Sequence, residues 1–287
     1  MGILDRSMID LHTHSNVSDG TLTPAELLQA ASDEGLSAIA LTDHDTVAGL
    51  DEAQQAADRL GIRFVPGIEL EVDWAPGVFH LLGLGLKRWH GPLKRRLERV
   101  RRFRLERNLK MVRLFQEAGM AISYRELREV SGHDTVGRPH FAQLLVEKGV
   151  VSTFQEAFDQ LIGNGKPFYI RKRALGVGAS CATVHAAGGL AILAHPRTLQ
   201  LSLEELSRNL HRWKHEGLDG VEAYHANADS KEGHRLAALA EHHGLIVTAG
   251  SDFHAPDRAA RLGRTCNGMI IDDRFLGPFT EESGGSN

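Results

Sequence analysis

Residues 8–14 read MIDLHTH and residues 245–254 read LIVTAGSDFH, so near each end of the chain an apolar run stops at two polar side chains in alternation. In an extended segment alternate residues face the same way, so each run reads as a strand presenting a pair of metal-type ligands at its end. His12 and His14 can converge on one ion, and Asp252 and His254 repeat the arrangement. Moving inward, AIALTDH (38–44) ends at His44 with Asp43 before it and Asp45 after it. RFVPGIEL (63–70) brings Glu69 to its end, VFHLLGLGL (78–86) carries His80, and LAILAHP (190–196) ends at His195. DGVEAYH (219–225) ends at His225, and Asp19 follows His14 by five residues, just before Gly20.

Between these runs lie helical patterns at 23–34, 49–60, 202–216 and 230–243. Thr23-Pro24-Ala25-Glu26 reads as a capping box with proline at the first helical position, and Ser202 with Glu205 and Thr153 with Glu156 repeat the cap. Strands alternating with amphipathic helices predict an α/β fold with a mainly parallel sheet or barrel. Seven strands suggest a relative of the (β/α)₈ plan, whose active site lies at the C-terminal ends of the strands.

Residues 92–170 break the alternation and read as helices only, at 92–118, 123–131, 138–148 and 153–163. They are expected to form an all-helical insert in a barrel made of residues 1–91 and 171–287. The window Leu93–Phe115 holds ten Lys/Arg against two Glu, a local charge of +8, and the remaining 23 basic and 35 acidic residues leave the rest of the chain at −12. One reading is a solvated basic face, with Leu93, Leu97, Val100, Leu109 and Val112 on the buried side. The other is an electrostatic funnel for a phosphorylated substrate.

With 287 residues, 42% of them hydrophobic, the chain can bury a large core. A net charge of −4 does not point to nucleic acid or an anionic membrane. Two cysteines, Cys181 and Cys266, with no C-x-x-C pairing, argue against a disulfide scaffold or a Cys-rich zinc site and fit a reducing compartment. No apolar run reaches transmembrane length and no signal pattern opens the chain, so a soluble, cytoplasmic protein is expected. The polar tail EESGGSN is expected to fray.

Six histidines (His12, His14, His44, His80, His195, His254) and three carboxylates (Asp19, Glu69, Asp252) thus fall at one end of the expected barrel. Packing gives no reason to gather strongly hydrated groups there, whereas metal coordination offsets their desolvation. The donors are oxygen and imidazole without thiolate, which suits Mn²⁺, Fe²⁺ or Zn²⁺. Two such ions about 3.5–4 Å apart can share a hydroxide and clamp an in-line displacement at phosphorus, and a third can neutralise charge on the phosphoryl oxygens.

H-x-H on the first strand, T-D-H on the second, G-I-E on the third, a following His, a late A-H-P and a final D-x-H together resemble the PHP family (polymerase and histidinol phosphatase domain). The resemblance runs from about residue 8 to residue 270 outside the insert. It implies a distorted (β/α)₇ barrel and a trinuclear site. The family pattern would place His12, His14, Glu69 and Asp252 on one metal, Glu69, His80 and His195 on a second with Glu69 bridging, and Asp19, His44 and His254 on a third. Two or three divalent metals are expected, Mn²⁺ first. Within the family, the short chain and its helical insert are most similar to 3′,5′-nucleoside bisphosphate phosphatases, whose relatives include 5′→3′ exonucleases of short RNA. A small phosphorylated nucleotide is therefore the expected substrate, with RNA ends, histidinol phosphate and the polymerase-linked exonucleases as rivals. No membrane or obligate protein partner is implied.

Phosphate favours Arg, through its bidentate fork, and Lys, as a point charge. Arg138 in VGRPH, and Arg171 and Lys172 in FYIRKRALG (168–176), are the candidate phosphate ligands. His225 is the candidate to contact the scissile phosphate or act as general acid on the leaving oxygen. For Arg138 and Arg171 the competing reading is a surface ion pair. Phe141, Phe154, Phe158 and Phe168 read mostly as core of the insert. His90, His133, His185, His211, His215, His234, His242 and His243 read as surface residues. Two other functions compete with the phosphoesterase: a barrel amidohydrolase, disfavoured by the basic cluster at 171–173, and a nucleic-acid-binding module using helix 93–115, disfavoured by the ligand set.

Overall fold

The computed structural model describes residues 7–132, 135–256 and 259–279. The chain opens with β1 (Met8–Asp10), α1 (Pro24–Asp33), β2 (Leu36–Leu41), α2 (Leu50–Leu60), β3 (Arg63–Val72) and β4 (Phe79–Leu84). Next come α3 (Pro92–Glu117), α4 (Tyr124–Ser131), α5 (Arg138–Glu147) and α6 (Phe154–Ala157), the last running into a π-turn at Phe158–Ile162. Then α7 (Val177–Ala186), β5 (Leu190–Leu193), α8 (Leu203–His215), β6 (Gly220–Tyr224), α9 (Ser230–His242) and β7 (Ile246–Ala249) complete the alternation. The capping boxes read at Thr23 and Ser202 are both present, and Thr153 caps α6 by accepting from the Glu156 N–H.

The seven strands lie in sequence order, β1 to β7, in one sheet. Strands β1–β3 are parallel, as are β5–β7, while β4 runs antiparallel to both its neighbours. The antiparallel strand departs from the simple alternation, and the connection explains it. Only Asp73 to Val78 join β3 to β4, and a parallel crossover needs about a dozen residues or more. The first and last strands meet beyond their C-terminal ends. Thr13 and Phe253 form a parallel bridge, with the His14 N–H on the Phe253 carbonyl at 2.8 Å and the Asp252 N–H on that of His12 at 2.9 Å. The sheet thereby closes into a barrel at one mouth. Gly250 permits this approach, because a Cβ there would lie 2.2 Å from the His12 Cβ.

The main core fills the barrel and the layer beneath its helices, with Trp213, Phe79 and Trp74 meeting edge to face. A second core joins Met111, Phe115, Ile122, Leu127, Phe141 and Ile162 in the insert. Helix α3 belongs to both: Leu93 and Leu97 pack with the barrel, and Met111 to Phe115 with the insert. The boundary expected at residue 92 therefore falls at the start of a shared helix.

One expectation for α3 is overturned. Leu109 is 39% exposed, and the buried stripe instead runs Leu93, Leu97, Val100, Arg104, Arg107/Asn108, Met111, Phe115. The period of 3.6 is kept, but it passes through two arginines and an asparagine that find buried surroundings. Phe141 is buried, Phe158 and Phe168 pack on the insert core, and Phe154 is exposed. Among the described residues no helix is long and apolar enough to cross a membrane.

Candidate metal centre

At the barrel mouth the strand ends are tied down by buried carboxylates. Asp10, on β1, accepts from the backbone N–H groups of His12 (3.2 Å), Ser251 (2.9 Å) and Gly263 (2.8 Å), and so joins the first and last strands beneath the site. Burial pushes its pKa up to about 6 against these hydrogen bonds. Asp43 accepts from the Ser15 N–H (2.8 Å) and from the hydroxyls of Ser15 (2.6 Å) and Ser18 (2.7 Å), fixing the loop that carries Asp19. Asp45, His195 and Asp252 all have positive φ, at 55°, 26° and 55°. Strained non-glycine backbone of this kind collects where side chains must be aimed.

The structure brings all nine candidate ligands together. Glu69 is the hub. Its Oε1 lies 3.0 Å from His80 Nδ1 and 2.9 Å from His195 Nε2, and its Oε2 lies 3.0 Å from His44 Nδ1, 3.3 Å from His14 Nε2 and 3.5 Å from His12 Nε2. Asp252 Oδ1 is 3.3 Å from the Nε2 atoms of both His12 and His14. Asp19 lies 3.3 Å from His254 Nε2, 3.7 Å from His44 Nε2 and 3.8 Å from His14 Nδ1. His80 reaches the mouth because β4 is antiparallel, which puts the start of that strand beside the ends of the others. The donors fall into overlapping sets: His14/Asp19/His44/His254, His12/His14/Asp252, His12/Glu69/His195 and His44/Glu69/His80, each with its donor atoms within 4.8 Å of one another.

Several features fit these donors to cations. The Nδ1 of His12 faces Glu222 Oε1 at 2.9 Å, so it carries the proton and leaves the Nε2 lone pair facing His14 Nε2 at 3.1 Å. His254 likewise places Nδ1 on the Asp252 carbonyl at 2.8 Å and turns Nε2 inward. Glu69 Oε2 and His14 Nδ1 are buried without a hydrogen-bond partner among the described residues. Burial raises the Glu69 pKa, but the charges of His44, His80 and His12 outweigh it and hold the carboxyl well below its usual range. Against its own burial, His44 is raised to about 9 by Glu69 and Asp19. The carboxylates thus demand positive charge, supplied by protons or by divalent ions that displace them.

The model of the PHP domain matches residues 10–266. The chain belongs to the PHP family. Among the relatives of this PHP chain, a 3′,5′-nucleoside bisphosphate phosphatase of Chromobacterium violaceum is 35% identical over 90% of this chain and 91% of its own. A 5′-3′ exoribonuclease of Haemophilus influenzae is 33% identical over 89% of this chain and 93% of its own. A solved structure from Bifidobacterium adolescentis, provisionally named a metal-dependent phosphoesterase, matches with a TM-score of 0.83 at 30% identity over 95% of both chains. The PHP chain is thus a metal-dependent hydrolase of phosphoester bonds.

The candidate substrate residues are placed unequally. Lys172 corrects its expectation. Its side chain is 0% exposed, with Nζ 2.5 Å from Asp45 Oδ2 and 2.9 Å from Glu71 Oε2. Asp45 also takes the Arg104 guanidinium at 2.5 Å. The Lys172 ammonium is paired with two carboxylates inside the protein, so its charge is already engaged. Arg171 is 47% exposed and forms the surface ion pair, on Asp73 Oδ1 and the Trp74 carbonyl, both at 2.6 Å. Arg138 stands over the rings of Tyr169 (5.4 Å) and Phe158 (6.0 Å) at the start of α5. His225 is fully buried beside His195, with Nδ1 accepting from the Asn227 N–H at 3.1 Å and Nε2 unpartnered among the described residues. Burial pushes its pKa down to about 4, so it is a neutral imidazole with a free Nε2–H.

Of the histidines read as surface residues, His133 lies outside the described residues. His243 is half-buried and the others are exposed. Sequence reasoning missed Asp10, Asp43, Glu222 and the buried Arg104 and Arg107. An acid inside an apolar run, as in MIDL and GVEAY, was the available signal for Asp10 and Glu222.

Proposed function

We propose that the protein removes the 3′-phosphate from a 3′,5′-nucleoside bisphosphate, leaving a nucleoside 5′-monophosphate, at a site holding three divalent ions, Mn²⁺ first among them. The observation that carries this is the convergence of five imidazole nitrogens on the single carboxylate of Glu69, an arrangement with no use unless cations sit between. When bound, such ions supply Lewis acidity and a nucleophile from water at neutral pH. The chain's residues do the rest. Glu222 orients His12 through Nδ1 and accepts from the His195 N–H at 2.9 Å, so it aligns two ligands at once. His225, neutral, donates its Nε2–H to a phosphoryl oxygen. The pKa of about 4 favours this role over proton delivery, since an imidazolium that acidic is scarce at neutral pH. Arg138 meets a substrate phosphate. Beside Asp252 a cavity of about 670 Å³, lined by Phe154, Asn227 and Arg264, has room for the nucleoside. Both cysteines are unpaired, which supports a reducing, cytoplasmic setting.

The name of the Haemophilus relative favours a second reading, 5′→3′ exonucleolysis of short RNA. Phosphate release in Mn²⁺ separates the two. Adenosine 3′,5′-bisphosphate is expected to turn over faster than a nucleoside 5′-monophosphate, histidinol phosphate or 5′-phosphorylated RNA. Preference for the RNA would transfer the function to the exonuclease. Independently, Glu222→Gln is expected to weaken Mn²⁺ binding about 10–100-fold with the fold intact. Calorimetric titration of the metal-free protein with Mn²⁺ measures this, and an unaltered affinity would remove Glu222 from its orienting role.

A further inference from the structure

Four histidines that the metal centre does not use gather on the outside of the barrel. His211 and His215 lie four residues apart at the end of α8, His242 is the last residue of α9, and His243 is its C-cap. Ring centroids are 5.0 Å apart for His211 and His215, 6.3 Å for His211 and His243, and 5.1 Å for His242 and His243. Residues four apart on a helix share a face, so α8 presents its two rings together. Packing does not require them there, since His211, His215 and His242 are exposed. The side chains of these three make no hydrogen bond or ion pair among the described residues.

The surroundings suit a cation. Both helices end here, and a helix C-terminus carries about half a negative elementary charge. The basic side chains of the same turns are engaged elsewhere: Arg208 on Glu204 (2.6 Å), Arg212 on Glu216 (3.6 Å), and Lys214 Nζ on the carbonyls of His243 (2.5 Å) and Gly244 (3.2 Å). Burial first, then His242, His211 and Lys214, hold the His243 pKa below its usual range, so its ring is neutral near pH 7. The Ser207 hydroxyl stands 2.9 Å from His243 Nε2. With Nε2–H donated to that oxygen, Nδ1 keeps its lone pair, the usual support for a metal-binding imidazole. With Zn–N bonds of about 2.0–2.1 Å, two imidazoles on one tetrahedral ion stand about 5 Å apart between ring centroids. His211 and His215 already have this spacing. Among the described residues the preassembled donor sets all lie at the barrel mouth, so the outer group closes on its ion by rotation of the exposed His211 and His215. Helix α8 leads into β6 and α9 into β7, which puts the group at the barrel end opposite the mouth, where this fold plan keeps stability rather than catalysis.

We propose that His211, His215 and His243 form a second, structural metal site that clamps the end of α8 to the end of α9. Its ligands are imidazoles without a carboxylate, so it takes an ion late in the divalent series, Zn²⁺, Ni²⁺ or Cu²⁺, and discriminates against Mn²⁺. The ion ties together two helices that flank β6, and it takes no part in phosphoester hydrolysis.

The test uses the full-length protein, the double variant His211→Ala/His215→Ala and the single variant His243→Ala, each dialysed against buffered Zn²⁺. Metal per chain is then counted by mass spectrometry. All three forms share the ligands of the mouth, so ions bound there cancel in the comparison. The wild type is expected to hold one more Zn²⁺ per chain than the double variant, and equal contents would overturn the site. His243→Ala is expected to lose the same ion. If it keeps that ion, the α8 pair binds alone and the clamp is overturned. A second readout follows the fold. Zn²⁺ added to protein already saturated with Mn²⁺ is expected to raise the Tm of the wild type more than that of the double variant, because the clamp binds only the folded form. An equal rise in both would place the stabilising ion at the mouth and overturn the clamp.

Discussion

Glu69→Gln is expected to reduce phosphoester turnover by roughly a thousandfold or more and to strip the protein of most of its bound metal. The substitution keeps the volume of the side chain and leaves its buried position on β3 unchanged. What it removes is the one negative charge that faces His80 and His195 through one oxygen and His44, His14 and His12 through the other, all within 3.5 Å. An amide would point a donor at part of this group and could bridge cations only weakly. Asp252 and Asp19 remain, each facing the rim of the cluster, so partial metal binding can survive while the shared centre does not. Metal content by mass spectrometry and phosphate release in Mn²⁺ measure the two effects separately, with circular dichroism as a control for folding. Retention of a tenth of wild-type activity would mean that Glu69 is not the bridge, and the bisphosphatase reading would lose its support.

How much of this was legible in the sequence follows from what each feature depends on. The ligands at strand ends were readable because strand alternation is local and the loops are short: H-x-H and D-x-H state their own geometry. His80 was readable as a residue, but its place at the mouth comes from β4 turning back after the six-residue connection Asp73–Val78. The inner face of α3 was not readable by following apolar residues, which led to Leu109. Arg104 and Asn108 are stabilised there by Asp45 and the Val136 carbonyl, partners 59 and 28 residues away. Lys172 was misread for the same reason. Beside Arg171 and Arg173 it looks like part of an exposed basic cluster, and only the fold reveals that alternate residues of that segment face opposite sides. Asp43 illustrates the remaining case. It stands inside a motif that was recognised, yet it organises the Ser15–Ser18 loop by hydrogen bonds.

Lys172→Met is expected to destabilise the protein by about 3–5 kcal/mol, because it leaves Glu71 without its closest cation and Asp45 with Arg104 alone. For a chain of this size that lowers Tm by roughly 10 °C. The loss should depend on pH in a defined direction. In the folded protein Asp45 is buried, which raises its pKa, but Lys172 and Arg104 outweigh this and bring it down to about 2, and Glu71, against its own burial, is held below its usual range by Lys172 and then Arg107. Carboxyls with depressed folded-state pKa values stabilise the protein fully above their ordinary pKa of about 4, and that stability disappears as pH falls towards about 2. The wild type and the variant should therefore differ most near neutral pH and converge in acid, as urea unfolding at pH 7 and at pH 3 would show. The network also carries structure into the site. Arg104 lies where the chain leaves the barrel in α3 and Lys172 where it returns, and both grip the residue next to His44. A phosphate-binding lysine predicts the reverse pattern, a raised KM with an unaltered Tm. That outcome would mean that the ammonium group leaves Asp45 and Glu71 when substrate arrives.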